Sequence, residues 1–173
     1  METMQEYKNR TKHNVQRIKP IKTKNGMLKL FQDWDHCGAI YMENAQTIER
    51  YRELEDDHPD SNKYGIFWAF SDQQFEEGKA KMKERGLYKD GQKIWSFGMG
   101  GYGVDEKLID EFFNYYKNRR KIVAAECDPQ EVYIYEWNNH ECMISCDDHD
   151  AFKVVVDTFG KEIAKNVVRF YGN

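Results

Sequence analysis

Residues 63–70 read KYGIFWAF, and this run constrains the chain more than any other stretch. From Ile66 to Phe70 it is continuously apolar, with no alternation that would leave one face wet. A strand of that kind belongs inside a sheet, buried on both faces. Ser71 follows it and Gln74 comes three residues later, the signature of a capping box that opens a helix. Gly86 is expected to close that helix.

The neighbouring segments fill in the order. MLKLF (27–31) and CGAIYM (37–42) read as strands joined by a turn at QDWDH, and Ala45, Ile48, Tyr51 and Leu54 recur at threes as in a short helix. QKIWSF (92–97) is a further strand, and Leu108, Ile109, Phe112, Phe113 and Tyr116 stripe a long helix from Asp105 to about Ala125. Pro129 is expected to end it. Residues 131–146 then read as a β-hairpin turning at Asn138-Asn139. Phe152, Val155, Val156 and Phe159 make an amphipathic helix, Gly160 breaks it, and Ile163, Val167 and Phe170 make a last short one. Hairpins mixed with single helices predict an α+β fold: one domain, a mainly antiparallel sheet with helices packed on it, ending in the hairpin and two short helices.

Charge divides the chain. Between Tyr7 and Gln32 there is no acid and there are eight bases: Lys8, Arg10, Lys12, Arg17, Lys19, Lys22, Lys24 and Lys29. From Glu126 to Asp157, nine acids face Lys153 alone. Residues 1–25 are accordingly read as a basic, partly ordered arm able to contact nucleic acid through phosphates, and 26–173 as the α+β domain. The start, METMQEYKNR, has no apolar signal region, and no run approaches the ~18 apolar residues of a membrane span. A cytoplasmic protein with Cys37, Cys127, Cys142 and Cys146 as free thiols is expected.

Four groups of residues raise chemical questions. GMGGYG places Gly98, Gly100 and Gly103 as G-x-G-x-x-G, with Gly101 between them, after a predicted strand and before a predicted helix. The acid that should bind a ribose is missing twenty residues on, and Asp105 and Glu106 would repel a phosphate from the helix start. A tight strand-to-helix turn is the plainer reading. His140, Cys142, Cys146 and His149 are zinc-ligand types, but their spacing fits no strong zinc pattern. In the hairpin, Glu136 would face Glu141 with His140 beside them, and a metal would relieve that repulsion. Asp33, Asp35 and His36 cluster in the turn of DWDHC. No serine-nucleophile, HExxH or kinase signature occurs.

The segments KYGIFWAFSDQQFEEG and ECDPQEVYIYEWNNHEC together resemble a family of small uncharacterised proteins of bacteria, their phages and mobile elements, over about Lys63 to Phe170. The resemblance implies a bacterial or phage cytoplasm and carries over no catalytic residue and no cofactor. The expected function is a non-enzymatic binding or regulatory protein acting on a host protein or nucleoprotein complex, for example as an inhibitor of host defence. Two alternatives stand beside it. One is a small metal-dependent hydrolase or nuclease using Glu136, Glu141 and His140, with Asp33 and Asp35 as further candidate ligands; the other is a nucleotide or small-molecule sensor using Gly98–Gly103.

Overall fold

The computed structural model describes residues 2–171. The fold is α+β, with two three-stranded antiparallel sheets. The elements in chain order are α1 (Met4–Thr11), β1 (Val15–Thr23), β2 (Gly26–Asp33), β3 (Ala39–Met42), α2 (Ile48–Asp56), β4 (Ile66–Trp68), α3 (Asp72–Glu84), β5 (Trp95–Gly98), β6 (Gly101–Gly103), α4 (Glu106–Glu126), α5 (Pro129–Asn139), α6 (Cys142–Ser145), α7 (His149–Phe159) and α8 (Lys161–Ala164). A 3-10 turn at Ser61–Tyr64 precedes β4. The chain forms two compact units, one from residues 1–56 and 120–173, the other from 57–119.

In the first unit, β1, β2 and β3 form a meander. One face of it, from Ile21, Leu28, Leu30 and Ile40, joins the core made with α2, α5 and α7. The other face carries Val15 and Phe31 under α1, where Tyr7 stacks near Phe31 and Tyr41. Within the stretch read as the arm 1–25, the described residues carry regular structure. Residues 4–11 form α1, capped by a reciprocal Thr3–Glu6 box, and 15–23 pair with β2. The arm has few apolar residues, but Tyr7, Val15, Ile18 and Ile21 are enough to dock it because β2 supplies the backbone partners.

The largest departure is at 131–146, where α5 and α6 replace the expected hairpin. Val, Tyr, Ile and Trp suit a strand by composition. Yet α5 is buried on almost every side, including Val132, Tyr133, Ile134 and Trp137, so it carries no one-sided stripe. Its start was nevertheless written in the sequence. Asp128 caps it, accepting from the amides of Gln130 (2.9 Å) and Glu131 (3.4 Å), and Pro129 takes the first helical turn. Pro129 opens this helix rather than merely ending the one before.

The polar residues of α5 each reach a different neighbour. Glu131 accepts from the amides of Gln46 and Thr47 and the Thr47 hydroxyl, at 2.7–2.8 Å, and so caps the approach to α2. Gln130 exchanges two hydrogen bonds with the backbone of Val168. Asn138 does the same with Ile40, extending the free side of β3 by one side-chain amide. The final helix is shorter than expected: α8 stops at Ala164, and the 168–171 segment is held instead by Gln130 and by Tyr133, whose hydroxyl accepts from the Phe170 amide.

In the second unit the sheet order is β4-β6-β5. Of the run 63–70 only Ile66–Trp68 is strand, and it lies at an edge, not in the centre. Phe67 and Ala69 point to the α3 side, with Met82, Tyr88 and Val104. Ile66 points to the α4 side, with Ile109 and Phe112. Gly78 lets α3 lie directly on the sheet, since a Cβ there would stand 2.2 Å from the Phe67 ring. The Ser71 cap is present, but Gln74 accepts from the Phe70 amide (2.7 Å), one residue further back than an ordinary box.

Candidate functional site

The residues proposed for metal do not converge. Glu136 and Glu141 are not opposed across strands. Glu136 is buried within α5, accepting from the Tyr51 hydroxyl (2.7 Å) and Asn139 (3.3 Å), with His140 Nε2 at 3.3 Å. Its contact raises the Tyr51 phenol pKa, after burial, which raises it most. Glu141 is exposed and stands in the left-handed region, φ 50°, at the start of α6. Of the zinc-type residues, Cys142 is buried and its thiol is pushed up to about 11 by burial, whereas His149 and Cys146 are exposed. Among the described residues no group of three or more His, Cys, Asp or Glu could hold a metal ion.

The DWDHC cluster has a structural role. Asp33 is buried and accepts from Tyr7 (2.7 Å), His13 Nδ1 (2.7 Å) and the amides of Asp35 and His36. Burial would raise its pKa, but the bonds from His13 and Tyr7 outweigh that and hold it below 3.8. Beside this turn, His36, Tyr41, Arg52, Tyr135 and Asn139 line an open groove of about 390 Å³. The Arg52 guanidinium lies 5.7 Å over the Tyr135 ring.

GMGGYG is a β-hairpin turn, not a strand-to-helix turn. Met99 (φ 48°) and Gly100 (φ 72°) are its central residues, both left-handed as a type I′ turn demands. Gly98 is also left-handed (φ 90°), whereas Gly101 and Gly103 serve close packing. A Cβ on Gly101 would meet the Phe97 ring at 2.2 Å, and one on Gly103 would meet Ile109 at 2.4 Å. The motif thus has a full structural explanation, and Asp105 spends its carboxylate on the Leu108 amide at the start of α4 (3.0 Å).

What the turn creates is an apolar surface. Met99 is 93% exposed and Phe70 77%. The Phe70 ring lies over Gly100, where a Cβ would be 2.7 Å from it and 2.9 Å from the Ala69 carbonyl oxygen. Trp68 is also exposed, near Phe112, and Phe113 is partly so, packed edge-on to Phe97. Four large side chains from β4, the turn and α4 therefore face solvent on one small unit. Large apolar side chains exposed in this number on one unit mark a candidate interaction surface.

The edge of β4 adds directionality. The Val104 amide donates to Gly65 O (3.0 Å) and the Ala69 amide to Gly100 O (2.9 Å). By the alternation of an antiparallel ladder, Ile66 and Trp68 turn their N–H and C=O groups the other way. Ile66 is fully buried, so the reachable part of this edge is its end at Trp68, with the exposed aromatics beside it.

A family model, described as a family of unknown function (DUF7659), matches residues 50–169. The chain belongs to this family. No curated protein matches it, and no solved structure does. The DUF7659 match contains the whole second unit and the helices α4 to α8, while α1 and the β1–β3 meander fall outside it.

Sequence reasoning missed Trp68, Phe70 and Met99 as a surface. A signal was present: an aromatic run paired with a glycine-rich strand cannot be covered by that strand, because glycine brings no side chain. Phe67 and Ala69 alternate inward while Trp68 and Phe70 alternate outward.

Proposed function

We propose that this chain is a non-enzymatic binding protein whose second unit docks a protein partner on the Trp68–Phe70 edge and the Met99 turn. The observation that carries the reading is the exposure of Phe70 and Met99 beside an edge strand. The exposed aromatic side chains and Met99 would supply the anchoring contacts to such a partner. The buried carboxylates favour a structural over a catalytic use. Asp33, Asp128, Glu131, Glu136 and Asp148 are each engaged by amides, hydroxyls, a His or an Arg. Carried by a phage or mobile element, as the resemblance implies, such a protein would act on a host protein, inhibition of host defence being one form of that role.

The test is comparative capture from a bacterial lysate with wild type, a Phe70→Asp/Met99→Asp double variant and a Lys81→Glu control on exposed α3 surface. At least one protein held by wild type and control should fall about tenfold or more with the double variant, the loss of roughly 1.4 kcal/mol of binding. Equal recovery by all three, or no capture at all, overturns the reading. So does sedimentation showing a dimer that the double variant abolishes, which would make a second copy the occupant.

A further inference from the structure

The first unit carries a cationic surface that lies outside the DUF7659 match and outside the aromatic surface of the second unit. On the outer face of β1 and β2, cross-strand pairing sets Lys22 opposite Met27 and Arg17 opposite Phe31. Lys29 is the diagonal neighbour of Lys22, about 7–8 Å away. α1 roofs only the Val15–Phe31 end of this face, so Lys22, Met27 and Lys29 remain open to solvent. Of the acids near this face, Glu43 is taken up by Arg17, at 2.7 and 2.9 Å, and by the Met4 amide at 2.7 Å, and Asp33 is buried with Tyr7 and His13. Arg17 is also what most lowers the Glu43 pKa.

The edge of this sheet is closed to strand addition. Lys19 and Pro20 interrupt the β1–β2 register, and a bulge with proline on an edge blocks further pairing. The face, not the edge, is available. Lys8 and Lys12 stand exposed on and just after α1, while Arg10 is answered by Glu2. Residues 2–31 hold eight bases against Glu2 and Glu6; with an overall net charge of −4, the remainder is −10. The positive field is therefore local, on a molecule that is otherwise acidic.

We infer that this face binds the phosphate backbone of duplex nucleic acid without reading sequence. The chemistry is that of spaced ammonium groups around a flat, unroofed sheet face. Its aromatic rings, Tyr7 of α1 with Phe31 and Tyr41, pack against one another rather than standing free to stack on single-stranded bases. This binding is independent of the protein-docking reading, and its test uses residues remote in sequence from that surface.

The experiment is fluorescence anisotropy of the full chain with a labelled 20-base-pair DNA of arbitrary sequence, titrated between 50 and 200 mM NaCl. Wild type should bind at low salt, with affinity falling linearly on a log–log plot. Lys22→Ser/Lys29→Ser should reduce the slope by about 1.8, since each phosphate contact contributes about 0.9. It should also weaken binding about tenfold or more at 50 mM. Lys81→Ser should change neither. Circular dichroism of the double variant should match wild type, because both lysines are exposed. No binding at 50 mM overturns the inference, as does equal weakening by Lys81→Ser. Tighter binding to single-stranded RNA or to phosphatidylserine vesicles than to the duplex overturns it too.

Discussion

Met99 holds a left-handed backbone conformation that an asparagine or glycine would hold at lower cost, and it does so almost fully in water. At 93% exposure the side chain gains almost no packing in return. Met99→Asn would create the Asn-Gly pair preferred in type I′ turns. It should stabilise the protein by about 1 kcal/mol and raise Tm by about 2–4 °C in calorimetry, while weakening partner capture. Gly100→Ala should do the reverse, costing about 1–2 kcal/mol, because its Cβ would press on the Ala69 carbonyl and the Phe70 ring at φ 72°. Two adjacent positions of one turn thus separate stability from binding.

Asp33 and Asp148 set the acid limit. Burial would raise the Asp148 pKa, but Arg169, with Nε at 3.0 Å, and the Tyr133 hydroxyl, at 2.6 Å, outweigh it and hold it below 3.8. Both carboxylates are lower in the folded state than in the unfolded chain. Their stabilisation is complete above the unfolded value, about 4, and is lost as pH falls through the lower folded values. Acid unfolding should therefore steepen below about pH 4 by circular dichroism. Arg169→Gln should move its midpoint to higher pH, since the buried carboxylate then loses its cation.

At the level of elements, the segments with one wet face were legible and those without were not. α2, α4 and α7 show their apolar residues at helical spacing, and β2 and β3 fall where the sequence puts strands. α5 has no wet face, so periodicity could not identify it, and its β-branched and aromatic content pointed to a strand. Only the Asp128-Pro129 start signal spoke for a helix. Asp128→Ala should cost about 1–2 kcal/mol in chemical denaturation, because two amides of the first turn lose their acceptor. The same error produced the supposed Glu136–Glu141 pair: in a helix those residues part, and Glu136 goes inward to Tyr51. The glycine motif was legible in composition but not in role, because a hairpin turn and a nucleotide loop both need left-handed glycines.

For the whole molecule, the sequence announced the charge division but not the division into two units. The eight bases reside on α1 and the β1–β2 hairpin, a layer the family match does not include. The exposed aromatics reside in the second unit, which it includes entirely. Among the described residues no helix is long and apolar enough to cross a membrane. The central claim, that the second unit's aromatic edge receives a protein, is tested most directly by photo-crosslinking. A benzophenone-bearing residue is placed at position 70 in one sample and at exposed position 144 of the first unit in another, and both are irradiated in bacterial lysate. The account predicts one discrete adduct from position 70, absent from position 144 and lost when Met99→Asp is added. Identical adduct patterns from the two positions, or none from position 70, would contradict it.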